Sequence, residues 1–201
     1  MDLLESSAKY LILLFIAIIS LINRLEKEIP KDVACRLTNR AVELISVSKY
    51  DSALICLDKA IKYDSTYYYS YGVKVSLHTS LKQYDKALKA MEKQIQLKPD
   101  SAEEYTIAGK LSDVLMDSIK AKKYYSKALE LYDTKIAKNK KPQMKVSYEL
   151  DRVFLFILLS KDSEAKKEMA KVEKEIHLSH TSLERISQMT RKKILDAEYK
   201  Q

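Results

Sequence analysis

Glycine occurs twice and proline three times in 201 residues, and tryptophan is absent. So few turn-formers argue against a sheet protein and against a flexible low-complexity chain, and suit long helices with short connections. Two glycines in total nearly exclude a phosphate-cradling loop. No P-loop, dinucleotide fingerprint, Gly-x-Ser-x-Gly elbow or His-Glu-x-x-His motif occurs. The three histidines, His78, His177 and His180, have no metal-ligand spacing and read as surface residues. The two cysteines, Cys35 and Cys56, read as a pair of buried free thiols. With no nucleophile, base, metal or cofactor constellation, a non-enzymatic role is expected.

A strong charge of one sign is missing too. The net charge is +8, and residues 134–201 supply most of it, with 16 Lys+Arg against 10 Asp+Glu. This modest surplus reads as solubility, with a preference for acidic partners or anionic lipid.

What the chain does have is repetition. Ala53, Ala87 and Ala121 stand 34 residues apart, and so do Leu57, Met91 and Tyr125 one turn further on. Leu37, Tyr71 and Tyr105 mark the same interval, followed by the smaller Ala41, Val75 and Gly109. Internal repetition is therefore the first fact to explain. Each repeat holds two helix-length segments, Asp32–Val47 and Asp51–Tyr63 in the first, with a turn at Ser48-Lys49-Tyr50. Ala53, Leu57, Ala60 and Ile61 recur at spacings of three and four, one face of a helix. The small column lets two helices approach closely, and the larger column fills the space beyond. A lone hairpin cannot cover its own apolar faces, so neighbours must stack into an all-α solenoid.

These residues resemble the tetratricopeptide repeat, whose pattern is an aromatic, a Leu-Gly-like pair, an alanine before a bulky residue, and a closing proline. The third repeat gives Tyr105, Ala108-Gly109, Ala121 and Tyr125; the second gives Tyr71, Val75, Ala87, Met91 and Pro99; the first gives Leu37, Ala41, Ala53 and Leu57. Ser65 and Asp133 depart from the closing proline, and Ser118 stands where Tyr84 stood one repeat earlier. The resemblance implies a right-handed helical-hairpin solenoid. Its three clear repeats fall at approximately 34–67, 68–101 and 102–135.

After Asp133 the register slips. The next alanine–bulky pair, Ala165–Met169, lies 44 residues beyond Ala121 and Tyr125, an insertion of ten. It is placed in Thr134–Lys145, read as a basic, proline-containing connection. Val146–Leu159 and Asp162–Ile176 then form a degenerate fourth hairpin within 146–179. A capping helix at 181–200 opens with a capping box at Thr181–Glu184, and Ser101–Glu104 offers another box in the third repeat.

At the other end, Leu11–Ile22 is apolar on every side apart from Ser20. Twelve residues span about 18 Å, against a hydrocarbon core of about 30 Å; residues 6–23 reach further if Lys9 snorkels. Three readings stand side by side: a retained membrane anchor, a processed signal, or a packing helix. On the first, residues 1–23 are an anchor, 24–31 a linker broken at Pro30, and 32–201 the repeat domain. Lys9 before the segment and Arg24, Lys27, Lys31 and Arg36 after it place the repeats of a single-pass membrane protein in the cytoplasm. After signal processing the domain would instead be periplasmic or extracytoplasmic.

By the same resemblance, the first helix of each hairpin lines a groove for a peptide or partner protein. The exposed positions are then Asn39 and Val42; Tyr69, Val73 and Ser76; and Thr106, Lys110 and Asp113. Tyr71 and Tyr68 read as packing and Tyr67 as surface. Some members hold the acidic tail of heat-shock chaperones in a carboxylate clamp. Thr38, Val42, Val73, Glu103 and Ile107 do not rebuild it around Asn39. An alternative is a basic surface for nucleic acid or anionic membrane through Lys135, Lys138, Lys140, Lys141 and Lys145. The run lacks interleaved aromatics, so a solvated linker is the plainer account and nucleic acid is not the expected partner.

Overall fold

The computed structural model describes residues 2–175 and 188–199. Among them the regular elements are all helices: α1 (Asp2–Ser46), α2 (Tyr50–Tyr63), α3 (Tyr68–Ser80), α4 (Tyr84–Leu97), α5 (Ala102–Val114), α6 (Ser118–Lys138), α7 (Pro142–Leu158), α8 (Asp162–Glu175) and α9 (Arg191–Tyr199). The chain forms two compact units, Met1–Val73 and Lys74–Gln201.

The repeat is visible in the backbone itself. Ser48, Lys82, Met116 and Ser160 are the described non-glycine residues with positive φ, between 56° and 63°. Their spacings are 34, 34 and 44, the same slip that the alanine columns show. Each sits just past a first helix in an identical pair of main-chain bonds. Met116 N–H donates to Asp113 and Asp117 N–H to Ser112; Ser160 donates to Ile157 and Lys161 to Phe156. This is the Schellman closure, which normally places glycine in the left-handed position. Here serine, lysine and methionine carry it, so a chain nearly free of glycine still turns four times.

Packing follows the columns. Ala53, Ala87 and Ala121 are wholly buried, as are Leu57, Met91 and Tyr125. A Cβ at Gly109 would stand 2.4 Å from the Tyr125 ring, so α5 and α6 approach within the width of one missing methyl. Across the slip, Val153, Ala165 and Met169 continue the columns in the fourth hairpin and are buried.

In the first unit α1 does not break at Pro30, which lies inside it. A mid-helix proline removes one hydrogen bond and costs about 3 kcal/mol, which kinks a helix without having to end it. The expected linker at 24–31 and the helix start at Asp32 are therefore corrected to one continuous helix. Beyond it, the large apolar side chains of Leu11–Ile22 are 43–66% exposed, so no described element packs on them. Among the described residues no helix is long and apolar enough to cross a membrane, and the spanning anchor at 6–23 is not supported. The apolar run itself is too short, as its twelve residues indicate. Where the first repeat lacks its closing proline, Asp64 Oδ1 accepts from Thr66 N–H (2.8 Å) and Oγ1 (2.6 Å), an Asx turn that does the same work.

In the second unit the insertion is mostly helix. α6 runs 21 residues against 14 for α4, and only Asn139–Lys141 separates it from α7. Thr134–Lys138 contains no breaker, and Lys135 is fixed by an ion pair to Glu103 (2.6 Å) and by the rings of Tyr132 and Tyr148. The basic loop read at Thr134–Lys145 is corrected accordingly. In the fourth hairpin Glu149 stands 44 residues after Tyr105, fully buried and paired with Lys171 of α8. An ion pair has replaced the aromatic there, which is why the repeat looks degenerate.

The Ser101 capping box does not form either. Ser101 Oγ donates instead to Glu103 Oε2 (2.9 Å), the carboxylate that Lys135 holds. The helix expected over 181–200 is helical at Arg191–Tyr199; Thr181–Glu184, His177 and His180 lie outside the described residues. Thr190 caps it, accepting from Lys193 N–H (3.3 Å).

Two stability measurements check this account. Gly109→Ala should lower the urea-unfolding free energy by about 1–2 kcal/mol, overpacking against Tyr125 outweighing the helix propensity gained. Met116→Gly should raise it by about 0.5–1 kcal/mol, relieving a left-handed methionine.

Candidate functional site

The positions expected to line the groove fall in both compact units. In the first, Cys35, Asn39 and Val42 follow one another at helical spacing on α1. Val42 is 43% and Tyr69 47% exposed, and Asn39 is exposed, its Nδ2 donating to Cys35 Sγ at 3.8 Å. Val73 is half-buried. Tyr69 meets Tyr67 edge to face at 6.3 Å between centroids. The hydrogen bond that the Tyr67 hydroxyl donates to Cys35, with some burial, pushes that hydroxyl up to about 12. Cys35, Tyr67, Tyr69 and Asn39 thus form one polar–aromatic patch, flanked by Val42. Beneath it Thr38 and Ser70 are fully buried and share a 2.7 Å hydrogen bond that ties the first turn of α3 to α1.

Several expectations change here. Tyr68 is 43% exposed rather than packed, while Tyr67 is half-buried. Tyr71 donates to the Ser65 carbonyl (3.2 Å), pinning the turn before α3. Cys35 and Cys56 are free as expected, but each is half-buried rather than buried.

In the second unit Ser76 is exposed, Thr106 and Lys110 are half-buried, and the Thr106 hydroxyl donates to the Ala102 carbonyl (2.9 Å). Asp113 departs most from expectation. Its side chain is 4% exposed, accepts from the Tyr125 hydroxyl (2.8 Å) and pairs with Arg191. The carboxylate expected to face a partner is engaged by α9. Burial, then the Asp113 charge and hydrogen bond, hold the Tyr125 hydroxyl far above its ordinary range.

Beside α9 a cavity of about 510 Å³ opens among Thr106, Lys110, Tyr132, Asp151, Phe154 and Ile194. Burial raises the Asp151 carboxyl, against the lowering hydrogen bond from Tyr132. The sequence reading missed Phe154, although it is Lys110 carried 44 residues across the slip. Tyr132 and Asp151 carried no signal in the columns. Lys135, proposed for a basic surface, serves the ion pair and ring contacts described above. Among the described residues no group of three or more His, Cys, Asp and Glu could hold a metal ion.

The family model described as Tetratricopeptide repeat matches residues 68–101. Comparison with curated proteins finds no match. Among solved structures the chain is similar to YrrB, described as a TPR protein with an unusual peptide-binding site, at 18% identity over 87% of this chain and 81% of that one, with TM-score 0.55. It is also similar to MamA 41-end from Desulfovibrio magneticus RS-1 (21% identity, 79% and 80% covered, TM-score 0.51). A further crystal structure of MamA protein matches at 26% identity, with 56% and 61% covered and TM-score 0.50. These likenesses show the fold.

The Glu103–Lys135 pair gives a pH test. Burial raises the Glu103 carboxyl, but bonds from Lys135, its own amide and Ser101 outweigh it, and the net pKa is lowered. A lowered folded pKa contributes stability above the ordinary glutamate range and loses it as pH falls through the depressed value. Glu103→Gln should therefore melt below wild type at pH 7, and the two melting temperatures should converge in acid, read by circular dichroism.

Proposed function

We propose that this chain, which carries a tetratricopeptide repeat at residues 68–101 and the same hairpin geometry in its other turns, works as a non-enzymatic adaptor. It holds an extended peptide or partner segment against the exposed side of its first helices. The observation that carries this reading is the patch of Asn39, Val42 and Tyr69 in the first compact unit. It offers an amide for register, a branched aliphatic, and a tyrosine braced edge-on by Tyr67. Tyrosine supplies large contact area at small entropic cost, and only an already oriented ring keeps that advantage. The peptide-binding site described for YrrB supports the reading, because that protein shares the fold.

The binding chemistry is apolar burial around Val42 and the Tyr69 ring, with the Asn39 amide choosing the register of a peptide backbone. Truncating an anchoring tyrosine costs about 2 kcal/mol, roughly thirtyfold in affinity. A cross-linked pull-down from native lysate should accordingly lose its specific partner when Asn39→Ala and Tyr69→Ala are combined, with circular dichroism unchanged. Undiminished recovery removes this face as the docking surface.

A further inference from the structure

Helix α9 packs against helices of two neighbouring hairpins. It contacts α5 and α7, both first helices of their hairpins. Arg191 at its start pairs with Asp113. Ile194, nearly one turn on, is 7% exposed within the core of the third and fourth hairpins. Tyr199 at its end stacks edge-on against Tyr84 at 5.7 Å, and the Tyr84 hydroxyl donates to the Tyr199 carbonyl (2.6 Å). Arg191, Ile194 and Tyr199 fall on one side of the helix, while Lys192 and Lys193 are exposed.

Two features separate α9 from the hairpin helices. It is nine residues long, below the roughly 12–15 at which isolated helices become even marginal in water, so its order depends on docking. It also fills its seat incompletely, because the cavity of about 510 Å³ runs alongside it, bordered by Ile194 and Ala197. A segment that must fold as it binds, and leaves apolar space unfilled, is replaceable by one that fills that space.

We infer that the α5/α7 face is a helix-binding site and that α9 is its built-in, displaceable ligand. The partner it admits is a helix of the same chemistry: a cation at the amino end, a branched aliphatic about a turn on, and an aromatic at the carboxyl end. A larger apolar residue in place of Ala197 favours the incoming helix over the resident one. This goes beyond the adaptor reading, which rests on the Asn39–Tyr69 patch of the other compact unit.

The test uses the full chain and a labelled synthetic peptide spanning residues 188–199, with affinity read by fluorescence anisotropy. The full chain carrying Arg191→Glu, Ile194→Asp and Tyr199→Ala together should bind this peptide at least tenfold more tightly than wild type does. Ala197→Leu in the peptide should tighten binding further, by about tenfold for the added buried methylenes. Arg191→Glu in the peptide should abolish binding, and Asp113→Arg in the chain should restore it. Equal or absent binding by the folded triple variant overturns the proposal. So does a triple variant that loses its cooperative melt, because α9 would then be a structural part of the fold. Loss of the pull-down partner on changing Asn39 and Tyr69 is read separately, so either idea can fail alone.

Discussion

In the third hairpin the Tyr125 ring occupies the space that a side chain at Gly109 would need, and the phenol is then tied down by Asp113. The separation of paired helices depends on how much volume two facing columns supply. Ala41 goes with Leu57, Val75 with Met91, Gly109 with Tyr125, and Val153 with Met169, all buried. Where one column shrinks to glycine the other swells to tyrosine. The compensation keeps hairpins of different sequence alike in geometry, which is the condition for repeats to stack.

Turns of constant shape are the second condition, and they are met without the usual residue. Four left-handed positions are filled by serine, lysine, methionine and serine. Each non-glycine residue in that region is strained by about 1–2 kcal/mol, so the hydrogen bonds and packing of the hairpin must hold it there. Composition alone thus points to few turns of the glycine kind, while the backbone makes them anyway.

Much of this architecture is legible in the residues, and the failures have physical causes. The alanine columns and the ten-residue slip were sound because side-chain volume recurs in sequence. The extension of α6 was missed although its signal was present: Asp133 stands where Pro99 closes the preceding repeat, and without a proline the helix simply continues. Pro30 misled in the opposite sense, since a proline weakens a helix without ending it. The Ser101 box failed because the Ser101 hydroxyl turns to the carboxylate of Glu103, which Lys135 holds from 32 residues away, and not to the Glu104 amide. The candidate site was half legible. Tyr69 and Val42 are exposed as their positions demand, but the engagement of Asp113 by Arg191 joins residues 78 apart, which no local pattern reports.

The two ends of α9 are held by groups of opposite kind. A carboxylate, Asp113, sits at the end where a helix exposes its amides and positive dipole; a hydroxyl donor, Tyr84, sits at the end where it exposes carbonyls. A helix entering in reverse would set carbonyls against Asp113 and amides against the Tyr84 proton. The seat therefore has a direction: it reads which way a chain runs before it reads which residues the chain carries. Tyr84 grips main chain, and the Tyr199 side chain at that end is held by ring stacking and by burial in the hydrophobic core.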